Sequence, residues 1–475
     1  MLGALALGLR VWVVLALSTE HAGHHAEHGP VTYEHGQIAE NLLAGRGFAA
    51  EFLGSEGPTS QQAPFYPLLL AAAYRSFGVA TPATILFVQL LQCAAGTALV
   101  LAVVWLGWVL VPDRPGVGWV AGLGAAVYPT HLYMVTHLQV ALWAALLLTA
   151  LLAVVMSPRW QARWSGAALA GFLAGALLLV EPILALALPV SAMAFWLGER
   201  DRRGMGRFRL APLGRVALAA VVAALVVSPW LVRNWRVHGE FVFIKSTFGY
   251  ALWQGNNPIS WGTDKVPKPS AEQLRLEHDG TLAGMDRALW EARHETVYID
   301  DVLLKPSGYR EFAGLSEPER CRLLGRRALG FIRAEPARYA SLCLQRLRYF
   351  LLFDETNPKA SNRVYRAATV VWLSLAFVGL LVSSGRWRRL WPTYAIFAVV
   401  TLFHALVITS VRFRIPLEPF SFVWAAWAVV PLGADWAARR RIKVYPPGQR
   451  RRDPFDPDRV LEGPHWTARP DRKAA

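Results

Sequence analysis

The stretch TYEHGQIAENLLAGRGF, from Thr32 to Phe48, follows an apolar run and places one acid, Glu34, at the start of a soluble-looking helix. A carboxylate in a first helical turn is held ionised by the helix dipole. At a membrane interface, burial can tune such an acid upward toward general-base work. Its competing use is a pairing with Arg46 in the same stretch. Four cations suit an anionic partner: Arg233 and Lys245 in SPWLVRNWRVHGEFVFIKSTFGYALWQGNNPISWGTDK, and Arg412 and Arg414 in SVRFRIPLEP. The planar guanidinium fork fits phosphate; snorkelling to lipid headgroups is the alternative. His21, His24, His25 and His28 recur at helical spacing. That pattern fits either a zinc site or a solvated, His-rich juncture, and neither HExxH nor paired cysteines sharpens it.

The elements that position these residues are membrane helices. The chain has 475 residues, 54% hydrophobic and 17% charged, with a mean hydropathy of +0.30. Apolar runs recur along most of its length, so the bilayer is the solvent for most of the protein. We read ten spans, near 2–18, 81–111, 118–135, 138–156, 165–181, 182–198, 214–232, 365–384, 391–410 and 415–434. Pro182 bars a continuous helix between the fifth and sixth. The net charge of +16 is placed for orientation rather than for nucleic acid. Arg114, Arg159 with Arg163, the cluster from Arg200 to Arg215, Arg386 to Arg389, and Arg439 to Lys443 mark alternate loops. Basic short loops stay cytoplasmic, which puts both termini inside and segments 19–63 and 233–364 outside.

Within the first outer loop, Thr32 is expected to cap a helix whose apolar face, Ile38, Leu42 and Leu43, lies along the membrane surface until Gly45-Arg46-Gly47 ends it. The following GPTSQQAPFYPLLLAAAYRSFG reads as a re-entrant or interfacial helix. Residues 264–362 read as amphipathic helices on the membrane face, with Cys321 and Cys343 as free buried thiols rather than a pair. From about 436 the arginine- and proline-rich end reads as a disordered cytoplasmic tail.

These segments resemble the lipid-linked-sugar glycosyltransferases of the GT-C fold, in the bacterial branch akin to protein O-mannosyltransferases and lipid A aminoarabinose transferases. Such proteins carry an acid in a surface helix after span one, then GPT…PPxYPLLLA, PWxxRNxxxxGxFV, LWxGNNP and RFRxPxEP. This chain has Glu34, GPTSQQAPFYPLLLAAAY with Ala63 for the first proline, PWLVRNWRVHGEFV (Pro229 to Val242), LWQGNNP (Leu252 to Pro258) and RFRIPLEP (Arg412 to Pro419). The resemblance covers about 1–435. Two departures stand out. The outer loop between spans three and four has His137 and Gln139 where relatives often have glutamate, and Glu181 stands before Pro182 where they have arginine or asparagine.

The resemblance implies an all-α, polytopic GT-C bundle. It implies a polyprenyl-phosphate-linked sugar donor and a protein, lipid or polysaccharide acceptor at the outer face of a bacterial inner membrane. Glu34 is then the base, and Arg233, Lys245, Arg412 and Arg414 hold the lipid phosphate. Gln62, Tyr66, Asn256, Asn257 and Glu181 are candidate contacts to sugar or acceptor. No metal site is assigned, and a divalent metal is only weakly supported by so few carboxylates. Displacement opposite the phosphate implies inversion. A transporter or flippase of lipid-linked sugars is the rival, but transporters usually show internal repeats and none is found here. A non-catalytic scaffold is the other; its spans would not need an acid and arginines gathered at one interface.

Overall fold

The computed structural model describes residues 1–28, 32–202, 210–266 and 280–440. The chain runs through α1 (Leu2–His28), α2 (Tyr33–Leu43), a hairpin of β1 (Ala49–Phe52) and β2 (Ser55–Pro58), α3 (Phe65–Phe77), α4 (Pro82–Leu110), α5 (Pro115–Val127), α6 (Pro129–Tyr133) and α7 (Ala141–Met156). It continues through α8 (Pro158–Gln161), α9 (Trp164–Val180), α10 (Ala187–Arg202), α11 (Leu210–His238), α12 (Phe248–Gly255), α13 (Leu282–His294) and α14 (Ile299–Leu303). The last elements are α15 (Glu317–Ala334), α16 (Pro336–Leu351), α17 (Arg363–Val382), α18 (Trp387–Leu406) and α19 (Glu418–Arg440). Residues Met1–Val430 form one compact unit, and of the second, from Pro431 on, only the end of α19 is described.

Local chemistry explains where the long helices start and stop. Thr81 accepts from the Thr84 amide at 3.2 Å, with Pro82 at the first helical position of α4. Asn362 caps α17 through the Tyr365 amide at 2.9 Å. Each satisfies an otherwise orphan donor. α4, α11, α17 and α18 are long and apolar enough to cross a bilayer, and α1, α5, α7, α9 and α10 contribute shorter apolar stretches. α9 packs on α11 through Gly171 and Gly175, where a Cβ would meet the Ala219 carbonyl at 2.3 Å and Val226 at 2.6 Å. Small residues four apart let backbones approach this closely in lipid.

Most expected spans fall on observed helices, with corrections. The span at 118–135 is broken, because α5 ends at Val127 and Pro129 starts a separate short helix. The span at 182–198 opens as a 3₁₀ turn over Pro182–Leu186, α9 having ended at Val180. Thr32 makes no side-chain capping bond; instead Tyr33 enters α2 with φ +52°. Of the expected apolar face of α2, Ile38 is instead buried with Phe48 and Ala50 against the hairpin and Leu42 is partly buried there, while Leu43 stays exposed. Cys321 is a buried free thiol as expected, and Cys343 is free but only half-buried. α19 runs to Arg440, past the expected start of the tail, and 441–475 lies outside the described residues.

Candidate active site

Glu34 sits in the first turn of α2 with its side chain exposed, correcting the expectation of burial. It has no hydrogen-bond partner among the described residues, and Arg46 donates instead to Asn41 Oδ1 at 2.7 Å. Lys245 lies in the turn between α11 and α12. Its ammonium donates to Gln62 Oε1 at 3.2 Å. Burial lowers Lys245 below the ordinary lysine range; Arg412 adds to that, while Glu181 and Glu34 oppose it. The charges of Glu181, Arg412 and Glu34, carried on three other segments, thus bear on the Lys245 ammonium. The backbone is strained at two of these places. Tyr33, just before Glu34, has φ +52°, and Ile244, just before Lys245, has φ +45°. Such conformations persist only where surroundings over-determine them, and they cluster at functional sites. The Ile244 carbonyl is held by Trp230 Nε1 and by Asn234 Nδ2, both at 3.0 Å. His35, on the buried face of α2, is pushed down to about 3 by burial, with Lys245 and Arg412 adding to the shift.

Arg412 is exposed and also lines a cavity of about 380 Å³. The cavity lies among α1, the α6–α7 segment, the Asp264–Lys265 loop, α13, the start of α17 and the 410–415 turn. Its apolar wall includes Leu282, Met285, Leu289 and Trp290 from one face of α13. Trp12 and Val364, 60% and 52% exposed, border it on α1 and α17. Asp264 pairs with Lys265 at 2.5 Å. Burial raises the Asp264 carboxyl, but Lys265 and Arg412 outweigh it and hold the group below the ordinary carboxylate range. Tyr133 donates to Asp286 at 2.5 Å, and His137 stacks on Trp290 with centroids 5.4 Å apart.

Five expected site residues hold the scaffold instead. Arg233 donates to the Thr59 and Phe48 carbonyls at 2.7 and 2.8 Å, tying the first outer loop to α11. Arg414, 1% exposed, donates to the carbonyls of Phe350, Leu351 and Leu352 and pairs with Glu418 at 3.1 Å. Glu418 also meets His131 at 2.9 Å. Tyr66 is fully buried and donates to Gln92 at 2.9 Å. Asn256 donates to Leu252 and Val407 carbonyls and accepts from the buried Arg346. Asn257 builds the turn after α12 by donating to Trp253 and Gln254 carbonyls. In each case backbone carbonyls or buried side chains took the bonds that a ligand was expected to take. Glu34, Lys245, Gln62, Glu181 and Arg412 remain together. Asp264, Asp286, Arg293 and Lys359 were missed; Asp286 and Arg293 share the amphipathic α13, while Asp264 and Lys359 lie in connecting turns that no periodic pattern marks. Among the described residues no group of three His, Cys, Asp or Glu could hold a metal ion. The side chains of His21, His24, His25 and His28 lie outside the described residues.

The architecture is that of an all-α polytopic membrane protein. It matches the apo oligosaccharyltransferase of Archaeoglobus fulgidus with TM-score 0.51 and 16% identity, over 92% of this chain and 51% of that one. The archaeal AglB from the same organism, in complex with an inhibitory peptide and a dolichol-phosphate, gives 0.52 and 15%, over 94% and 52%. ArnT from Cupriavidus metallidurans bound to undecaprenyl phosphate gives 0.37 and 17%, over 92% and 81%. The chain thus spans about half the length of the oligosaccharyltransferase it matches. A scan of the sequence against protein-family models finds no match, and neither does a search of curated proteins. The chain has the GT-C fold.

Proposed function

We propose that the chain is a glycosyltransferase that moves a sugar from a polyprenyl-phosphate donor to an acceptor, with inversion. The observation that carries this is that the charges of Glu34, Glu181 and Arg412 all bear on the Lys245 ammonium, while Arg412 also lines a cavity bordered by exposed apolar side chains. Glu34 takes the proton of an acceptor hydroxyl as its oxygen bonds to the anomeric carbon. The bond from that carbon to the phosphate oxygen breaks, and its electrons leave with the polyprenyl phosphate. Lys245 and Arg412 stabilise the charge that develops there. Attack opposite the leaving group inverts the anomeric centre. Gln62 and Glu181, which flank Lys245 by hydrogen bond and by charge, are placed to meet sugar hydroxyls. Support of a coarser kind comes from the archaeal protein of the same fold, solved with a dolichol-phosphate.

Residues 1–435 form the catalytic membrane domain in this reading, and 436–475 a cytoplasmic tail. Alternating arginine-rich loops put both termini in the cytoplasm and Glu34 on the outer side of a bacterial inner membrane. The test compares glycans and glycolipids by mass spectrometry from cells lacking the gene and complemented with wild type or with Glu34→Gln. A sugar-bearing product that returns only with wild type supports the assignment. Full return with Glu34→Gln at equal protein levels removes Glu34 as the base.

A further inference from the structure

A row of flat side chains runs from the scaffold to the cavity. It begins at Phe350, near the end of α16, which is fully buried. The His404 ring on α18, 3% exposed, stacks on Phe350 with centroids 5.5 Å apart and planes 18° from parallel. Phe413 stacks on His404 in turn, at 4.6 Å and 11°. The row ends at the cavity-lining Arg412, whose guanidinium carbon lies 5.2 Å from the Phe413 ring centroid. Two hydrogen bonds hold the row from behind. His404 Nδ1 donates to the Ile408 carbonyl at 2.9 Å, tying its ring to the turn that follows α18. Arg414 Nη1 donates to the Phe350 carbonyl at 3.1 Å, so the arginine locked into the scaffold holds the residue on which the stack is founded. Residues 412–414 thus divide their work. One arginine anchors the row, the ring between them carries it forward, and the other arginine meets the cavity.

We propose that Phe413, backed by His404, is a positioning residue that holds the Arg412 guanidinium in place for the phosphate of the donor. This rests on the transferase reading above. An exposed arginine moves among many rotamers, and ordering it only when a ligand arrives costs affinity. A ring face restrains the guanidinium in advance by cation–π attraction, and the N–H groups at its edge stay free for phosphate oxygens. Phe413 can impose that restraint because its own ring is stacked on a buried one, in packing that leaves little room to turn. A cation already in place also needs no reorganisation as charge develops on the leaving phosphate.

The test measures undecaprenyl phosphate binding to the purified full-length chain in neutral detergent, with undecaprenol as the uncharged probe. Arg412→Gln should weaken undecaprenyl phosphate binding by about tenfold or more. Phe413→Leu should weaken it by about 3- to 10-fold, the worth of one cation–π contact and one side chain ordered in advance, with undecaprenol binding unchanged. Phe413→Tyr restores a flat ring and should recover wild-type affinity. Phe413→Leu added to Arg412→Gln should cost nothing further, because the ring acts through the guanidinium. If leucine unsettles the turn, Phe413→Met fills a similar space without a ring face and serves the same comparison. Equal loss for both probes, additive losses in the double variant, or wild-type affinity for Phe413→Leu beside a weakened Arg412→Gln would each overturn the positioning role. An Arg412→Gln variant that binds undecaprenyl phosphate like wild type overturns the phosphate reading of Arg412 itself, and the positioning role falls with it.

Discussion

A lysine half-buried over one aromatic ring and without an ion pair should cost the fold stability, and Lys359→Gln measures that cost. The side chain is half-buried and lies over the Tyr133 ring. Burial, Arg293 and the partly compensating Asp286 bring it from 10.5 to about 8. At 1.36 kcal/mol per tenfold change, that difference is on the order of 3 kcal/mol; screening at a partly exposed group reduces it to about 1–3 kcal/mol. The sign follows from linkage. Below pH 8 the lysine is charged in both folded and unfolded chains, and the full penalty applies. Between 8 and 10.5 the folded chain releases its proton first, so the penalty fades as pH rises. Lys359→Gln should therefore be more stable than wild type at pH 7 by about 1–3 kcal/mol, and the gap should close toward pH 10.5. Unfolding of the detergent-solubilised protein, followed through its 20 tryptophans, reads both values. A variant no more stable at pH 7, or a gap independent of pH, refutes the reasoning.

Other perturbations separate scaffold from site. Arg346→Met should destabilise by about 3–5 kcal/mol in the same unfolding assay, because it strips donors from the Ala405, Gly255 and Val407 carbonyls in a buried junction. His35 is held near 3, below its ordinary 6.5, so the unfolded chain takes up a proton first and wild type loses stability as pH falls from 6.5 toward 3. His35→Gln should flatten that loss in an acid titration of folded fraction. Lys245→Gln should weaken undecaprenyl phosphate binding by about tenfold or more while leaving the thermal midpoint within a few degrees of wild type.

Hydrophobic run length located α4, α9, α11, α17 and α18 well, because lipid demands sustained apolar sequence and internal hydrogen bonding. It missed the break after Val127, where Pro129 interrupts a run that stays apolar on both sides. Residue type alone divided the site less cleanly. Arg412 and Arg414 are two positions apart with the same chemistry, yet one lines the cavity and the other is locked to three carbonyls and Glu418. Only the path of α16 decides between them, and that contact is some sixty residues away in sequence. The same holds for Asn256, whose amide reaches the distant Val407 carbonyl, and for Asn257, whose amide closes the turn that follows α12. Glu34 and Lys245 were legible because each stands just beyond an apolar helix end. Arg293 and Lys359 were not, since the Tyr33 and Tyr133 rings they meet lie far away in sequence.

The central claim is that Glu34 and the Lys245–Arg412 pair act on opposite sides of one sugar–phosphate bond. The most direct measurement is the rate at which purified Glu34→Gln releases polyprenyl phosphate from a polyprenyl-phosphate sugar in the presence of acceptor, alongside its affinity for the donor. We predict release slower by about 10²- to 10⁴-fold with donor affinity unchanged. Release at the wild-type rate, or a defect confined to donor binding, would contradict the account.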